Sequence, residues 1–170
     1  PKEAIKNAKL VIKKTKCDAV KLEGGKKIIS IVKSLVKSKI PVMGHLGILP
    51  QTEKKFTFKG KKLSERNRIL KDAQLLEKAG IFSVVLECVE TKLSKRITET
   101  LKIPTIGIGS SVYCDGQVLV TDDLIGLSES RFRFVKKYLN TYKLINSAVK
   151  SFKSDVTKKR FPKIKHSFKY

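Results

Sequence analysis

The stretch SVVLE at residues 83–87 is a short apolar run that ends on a carboxylate, and its composition is typical of a buried β-strand. The stretch IPVMGH at residues 40–45 ends in the same way on an imidazole. In the stretch AVKLEGG at residues 19–25, apolar and charged residues alternate, so that Lys21 and Glu23 share one face of a strand. Burial of a charged side chain is costly unless it is paired or bound to a metal. The three strand ends therefore predict a shared polar site.

The strand-like segments alternate with amphipathic helical segments along most of the chain. Helices are predicted at 2–16, 27–38, 64–79 and 91–101, and in two pieces within 129–155. Strands are predicted at 19–23, 40–43, 83–87, 104–108 and 117–120. Because most of these strands are separated by a helix, the pattern favours parallel β/α units.

The number of strands bears on the fold class. Four or five parallel strands are few for a closed barrel of eight β/α units, which typically needs about 250 residues. We predict the α/β class and a (β/α)8 TIM barrel, of which this chain covers about the last five units plus the C-terminal helices. About three units are then expected upstream of Pro1, and residues 1–170 belong to a single barrel domain. The charged strand ends would lie at the C-terminal face, where such enzymes place their chemistry.

Composition places the chain among globular proteins, with 41% apolar and 31% charged residues. It contains no run of 18 apolar residues, so the sequence predicts no membrane span. Cys17, Cys88 and Cys114 are widely spaced and form no C-x-x-C pair, which argues against a disulfide framework and against a zinc site. We expect reduced thiols in a cytoplasmic protein. The chain begins without Met, so it is expected to be processed or to lack its natural start.

The net charge of +23 raises nucleic-acid binding as an alternative function. Most basic residues are lysines, and in the first predicted helix they lie opposite the apolar stripe, where side chains are solvated. Charge alone supplies only non-specific affinity, so we do not expect nucleic-acid binding to be the main role. Residues 136–170 hold 11 Lys or Arg and one acid, Asp155, with apolar residues interleaved. This segment is predicted to be a basic C-terminal helix and strap packed on the surface, in preference to a nucleic-acid arm.

Five motifs that follow one another in the chain together resemble the sequence pattern of one protein family. They are VKLEGG (20–25), PVMGHLGILPQ (41–51), VVLECV (84–89), IPTIGIG (103–109) and CDGQVLV (114–120). Together they resemble the ketopantoate hydroxymethyltransferase (3-methyl-2-oxobutanoate hydroxymethyltransferase) family, over about the C-terminal two thirds of its length. The match runs from about Pro1 to Leu127, and the FP and HSF of the tail also fit the family's end.

The resemblance implies a β/α barrel that assembles as a homodecamer and uses Mg²⁺. It implies transfer of a one-carbon unit from 5,10-methylenetetrahydrofolate to 3-methyl-2-oxobutanoate in pantothenate biosynthesis. By position, Glu87 matches the family's proton acceptor, Lys21 a residue that binds the keto acid, and Glu23 a metal-site carboxylate. His45 either touches the keto acid or braces the loop that follows it. The family's other metal carboxylates are two aspartates on early strands, which are expected upstream of Pro1.

Several alternatives stay open at the level of sequence. Lys21 and Glu23 could form a structural ion pair, and Glu87 could turn towards solvent. The chain could belong to another Mg²⁺-dependent barrel enzyme acting on a 2-keto acid, be a truncated inactive remnant, or be a basic nucleic-acid-binding module. Gly44 and Gly47 flank His45, which predicts close backbone approach or a positive φ angle.

The sequence departs from the family's pattern at two further places. Ser110 and Ser111 stand where the family usually has Ala-Gly, and Leu49 stands where it often has Thr. These departures lie in loops after predicted strands, so we expect them to alter the substrate contacts more than the class of reaction.

Overall fold

The computed structural model describes residues 1–53, 57–129 and 132–168. The helices are α1 (Lys2–Thr15), α2 (Ile29–Lys37), α3 (Leu63–Lys78), α4 (Thr91–Thr100), α5 (Thr121–Leu124) and α6 (Thr141–Thr157). The strands are β1 (Val20–Glu23), β2 (Val42–Gly47), β3 (Ser83–Glu87), β4 (Thr105–Ile108) and β5 (Gly116–Gln117). Short 3₁₀ turns lie at Lys26–Ile28 and Ile164–His166.

The strands form one parallel sheet in the order β1-β2-β3-β4-β5. This confirms the predicted α/β class and the parallel sheet. Neighbours in space are neighbours in sequence, with none of the strand-order reversal that marks a doubly wound sheet. The order is consistent with part of a β/α barrel, and closure into eight units stays a prediction.

The two faces of the sheet differ in chemistry, because successive side chains of a strand point to opposite sides. One face carries Val42, Leu46, Val84 and Leu86, which are buried in the apolar core. Helices α2 and α3 contact β2 and contribute to the same core through buried Val32, Leu35, Ile69, Ala73 and Leu76. The opposite face carries the charged residues of the strand ends.

Two predicted strands have different ends in the structure. β2 was expected to end at Met43, but it continues through His45 to Gly47, because it is paired on both sides by β1 and β3. The strand predicted at 117–120 is wrong in extent. It is reduced to Gly116–Gln117, and a short helix begins at Thr121.

The predicted pair of helices within 129–155 is also wrong. A single helix, α6, begins at Thr141, and the described residues 132–140 before it are not helical. The side chain of Asn140 accepts a hydrogen bond from the Lys143 amide at 3.1 Å, which caps the helix. This cap fixes where the helix begins.

The chain divides into two compact units, Pro1–Val118 and Leu119–Tyr170. The first unit contains the whole sheet and helices α1 to α4. The second contains α5 and α6, and the large apolar side chains of α6 are exposed: Leu144, Ile145, Val149, Phe152 and Val156. Across the described residues, every helix is too short or too polar to cross a membrane.

Candidate active site

Backbone pairing brings the three charged strand ends together. Glu23 is the register partner of His45 across β1 and β2, and Gly47 is the partner of Glu87 across β2 and β3. Register partners in a parallel sheet point to the same face, so Glu23, His45 and Glu87 share one face at the carboxyl ends of the strands. The shared polar site predicted from the sequence is therefore present.

The imidazole of His45 lies between two carboxylates. Its Nε2 is 3.2 Å from Glu87 Oε2, and its Nδ1 is 3.8 Å from Glu23 Oε1. The His45 side chain is 1% exposed, and the two carboxylates are 9% and 11% exposed. Among the described residues, neither ring nitrogen makes a hydrogen bond of good geometry, even though Nε2 approaches Glu87. The ring nevertheless has acceptors beside it, because Nε2 faces Glu87 Oε2 and the Ile48 backbone acts to raise the His45 pKa.

Burial and nearby charges shift the pKa values of this cluster. Burial raises the pKa of Glu87, and the Glu23 charge acts in the same direction against the opposing Lys21 cation. Burial and the Lys21 cation lower the pKa of His45, outweighing the Glu23 carboxylate and the Ile48 carbonyl, which raise it. The shifts favour an uncharged His45 beside a carboxylate with a high proton affinity.

Lys21 lies on the same face as Glu23, two residues earlier in β1, and is exposed. In the part of the chain that the structure describes, Lys21 makes no ion pair with Glu23 within 4 Å. Glu23 Oε2 instead accepts a hydrogen bond from the Gln51 amide at 3.2 Å, which holds the carboxylate against the loop after β2. The structure therefore disfavours the ion-pair alternative for Lys21.

Two backbone features hold Glu87 against His45. Gly47 has a φ of +103°, and a Cβ there would overlap the carbonyl oxygen of Glu87, so the prediction is confirmed at Gly47. At Gly44 a Cβ would meet side chains, Ile81 first, and φ is not positive, so the prediction is wrong there. The Ile48 amide donates to that same carbonyl at 2.9 Å. The Glu87 side chain itself lies 3.2 Å from His45 and is 11% exposed, so the alternative that turns it to solvent is wrong.

The loop after β4 contributes a contact that the sequence analysis missed. The Ser110 hydroxyl donates to the Leu86 carbonyl at 2.6 Å and accepts from the Val89 amide at 3.0 Å. These two groups flank Glu87 and Cys88. No periodicity or motif in the sequence indicates this contact, because it joins residues more than 20 positions apart.

The side chains of the cluster decide whether the described residues could bind a metal ion by themselves. Among the described residues, no three His, Cys, Asp or Glu side chains lie close enough together to hold a metal. Mg²⁺ in enzymes is usually bound by one or two carboxylates together with water and substrate. The hard carboxylate oxygens of Glu23 fit one position of such a site.

Comparison with known proteins agrees with the geometry. The family model described as ketopantoate hydroxymethyltransferase matches residues 1–164, which extends beyond the predicted continuous match to Leu127. Three relatives carry the name 3-methyl-2-oxobutanoate hydroxymethyltransferase. The protein of Pelagibacter ubique is 64% identical over 98% of this chain, that of Thermosipho melanesiensis 48% over 98%, and that of Saccharolobus solfataricus 47% over 97%.

The chain spans 65%, 64% and 62% of the lengths of these three relatives. The family match nevertheless covers nearly all of the chain, including the three strand ends that form the polar cluster. The relatives are named as hydroxymethyltransferases, a class of transferase enzyme. The chain therefore belongs to the ketopantoate hydroxymethyltransferase family.

Proposed function

We propose that this chain carries the acid–base centre of an enzyme that transfers a hydroxymethyl group from 5,10-methylenetetrahydrofolate to 3-methyl-2-oxobutanoate. The product is 2-dehydropantoate, an intermediate of pantothenate biosynthesis. The observation that carries the proposal is the contact of buried Glu87 with His45, 3.2 Å apart, on the same sheet face as Lys21 and Glu23. The family membership supports the choice of substrates.

Glu87 is the general base of this proposal. Its carboxylate removes the proton from C3 of the keto acid, and the electron pair of the C–H bond moves into the enolate. C3 of the enolate then forms the new carbon–carbon bond to the one-carbon unit of the folate substrate. Both carbon–nitrogen bonds of that unit break, with their electron pairs returning to the folate nitrogens. A water molecule supplies the hydroxyl oxygen, and protons from Glu87 and from that water complete tetrahydrofolate. A general base works best when its pKa lies near the working pH, and burial moves the pKa of Glu87 in that direction.

Lys21 and His45 are the substrate-binding residues. The Lys21 ammonium is exposed at the edge of the cluster, so it can pair with the carboxylate of the keto acid. The two ring nitrogens of His45 lack good hydrogen bonds among the described residues, and a bound keto acid supplies a partner for one of them. The other nitrogen stays directed at a carboxylate.

Glu23 is the metal ligand of this proposal, with the remaining protein ligands outside the described residues. Mg²⁺ when bound supplies positive charge that stabilises the enolate oxygen. The Gln51 amide holds Glu23 Oε2 in place and leaves its second oxygen on the side of His45 Nδ1.

Assembly and location are part of the same proposal. We place the protein in the cytoplasm, which the three free thiols of Cys17, Cys88 and Cys114 support. Self-association is supported by the exposed apolar side chains of α6, and the resemblance specifies a decamer. Light scattering of the purified protein measures the mass of the assembly and so the number of subunits.

Proton exchange at C3 of the keto acid tests the reaction. The chain alone, and the Pelagibacter relative with its matching 167 residues replaced by this chain, are incubated with 3-methyl-2-oxobutanoate in heavy water. Loss of the C3 proton signal in the NMR spectrum, followed by product formation when 5,10-methylenetetrahydrofolate is added, supports the proposal. Exchange without any hydroxymethyl transfer favours another 2-keto-acid enzyme, and absence of exchange from both proteins contradicts the proposal.

A further inference from the structure

The turn after β3 is bridged by the hydroxyl group of one side chain. Ser110 Oγ lies between the Leu86 carbonyl, to which it donates at 2.6 Å, and the Val89 amide, from which it accepts at 3.0 Å. Val89 is 2% exposed, so its amide is shielded from water and depends on a partner within the protein. One side chain of the loop after β4 therefore binds the backbone on both sides of the Glu87–Cys88 turn.

This turn has an unfavourable backbone conformation. Cys88 has a φ of +50°, a left-handed conformation that costs free energy for any residue other than glycine. It persists because its surroundings hold it: the Cys88 amide donates to the Ile108 carbonyl at 2.8 Å, and its carbonyl accepts from the Lys59 amide at 2.8 Å. The Ser110 bridge closes the turn by joining its first and last residues.

Glu87 comes immediately before Cys88, so the backbone at the end of β3 is continuous with this turn. A relaxed turn would shift the end of β3 and move the Glu87 carboxylate away from the imidazole, which is now 3.2 Å from it.

We propose that Ser110 is a positioning residue for Glu87, acting through its hydroxyl bridge between the Leu86 carbonyl and the Val89 amide. The inference rests on the proposed role of Glu87 as general base. Ser110 does not contact the cluster, and its effect on the reaction passes through the backbone of the turn.

Histidine NMR tests the placement without depending on activity. The chain has two histidines, His45 in the cluster and His166 near the C-terminus, so ring-labelled protein gives an interpretable spectrum. We expect Ser110→Ala to move the His45 signals towards their position in Glu87→Gln, with the His166 signals unchanged. Ser110→Thr keeps a hydroxyl and should restore the wild-type signals.

Ser111→Ala is the matched control. In the wild type, the Ser111 hydroxyl accepts a hydrogen bond from the Tyr113 amide at 3.2 Å, and Ser111 lies in the same loop as Ser110. The variant should leave the His45 signals as in the wild type. If Ser110→Ala fails to fold, Ser110→Cys, which has a similar size and forms weaker hydrogen bonds, takes its place.

Kinetics of the C3 proton exchange give the second readout. Ser110→Ala should lower kcat about tenfold, because small misplacements of a base are costly, while KM changes less than about twofold. Unchanged His45 signals in both the Ala and the Cys variants would overturn the proposal, as would an unchanged kcat in an active protein. If the wild type itself shows no exchange, the proposed function fails, while the NMR comparison still decides whether Ser110 positions Glu87.

Discussion

His45 Nε2 and Glu87 Oε2 lie 3.2 Å apart in a part of the sheet from which water is largely excluded. Burial raises the pKa of Glu87 and lowers that of His45, so both shifts favour the uncharged forms of the two groups. A buried carboxylate next to a neutral imidazole holds a proton more readily than an exposed glutamate does. The pair is therefore suited to take a proton from a weakly acidic C–H group.

Glu87→Gln tests this role directly. The substitution keeps the size of the side chain and removes the basic oxygen, so C3 proton exchange should fall by about 10² to 10⁴-fold. Binding of the keto acid, measured by isothermal titration calorimetry, should stay within a few-fold of wild type because Lys21 is unchanged. Glu99→Gln is the control, since Glu99 lies on the surface of α4 in an i,i+4 pair with Lys95. Wild-type exchange in Glu87→Gln would exclude Glu87 as the base.

The pH dependence of the exchange follows from the raised pKa of Glu87. In the proposed reaction the unprotonated carboxylate of Glu87 is the base, so the rate should increase as the pH rises through a midpoint above the ordinary range for glutamate. The contribution of Glu87 to the free energy of unfolding changes with pH in the opposite direction, because the folded chain holds the Glu87 proton more tightly than the unfolded chain does. This contribution is thus full below the unfolded pKa and is lost as the pH rises through the folded pKa. The difference in unfolding free energy between wild type and Glu87→Gln, measured by urea unfolding between about pH 4 and pH 8, should show this slope. The lowered pKa of His45 gives a slope of the opposite sign, and His45 is present in both proteins.

Local patterns were enough to predict that Glu23, His45 and Glu87 meet, although the predicted strand ended at Met43 and left His45 just beyond it. Parallel strands bring their carboxyl ends to one edge, and the period of two places alternate residues on one face, so three local patterns determine one site. Gly47 was predicted for the same reason, because a glycine at a crowded strand end indicates close approach of another backbone. Each of these predictions depends on residues close together in sequence.

Features that depend on pairing between distant residues could not be predicted in this way. The continuation of β2 through His45 follows from its partners on both sides, and the role of Ser110 follows from contacts with Leu86 and Val89. The beginning of α6 had a local signal in Asn140, which we missed because the apolar pattern before it also resembled a helix. Tertiary pairing and caps override periodicity at such places.

Gly47→Ala should destabilise the protein more than Gly80→Ala. Both glycines have positive φ angles, +103° and +96°, so an L-residue costs about 1–2 kcal/mol of unfolding free energy at either position. At Gly80 the new Cβ would meet a methyl group of Val36 at 2.9 Å, which can shift, whereas at Gly47 it would meet the carbonyl of Glu87. We expect a loss of more than about 2 kcal/mol for Gly47→Ala, measured by urea unfolding. Equal losses of unfolding free energy in the two variants would show that the Glu87 carbonyl does not prevent a side chain at position 47.

Glu90 caps α4 and should stabilise the protein in a pH-dependent way. Its carboxylate accepts hydrogen bonds from the amides of Lys92 at 3.0 Å and Leu93 at 2.9 Å, and Arg66 lies 2.8 Å away. Burial acts to raise the pKa of Glu90, but these hydrogen bonds and the guanidinium outweigh it and lower the pKa. The stabilisation is therefore present above the unfolded pKa and is lost as the pH falls through the folded pKa.

Glu90→Ala should accordingly reduce the free energy of unfolding by about 1 kcal/mol at neutral pH. The difference from wild type should shrink as the pH falls below the ordinary range for glutamate and through the lowered pKa of Glu90, where the wild-type carboxylate becomes protonated. Glu99→Ala, which removes only an exposed i,i+4 pair, should change the free energy by less than about 0.5 kcal/mol. Urea unfolding of the three proteins at neutral and acidic pH gives the comparison. A loss in Glu90→Ala that is equally large in acid would mean that the cap does not depend on the ionised carboxylate.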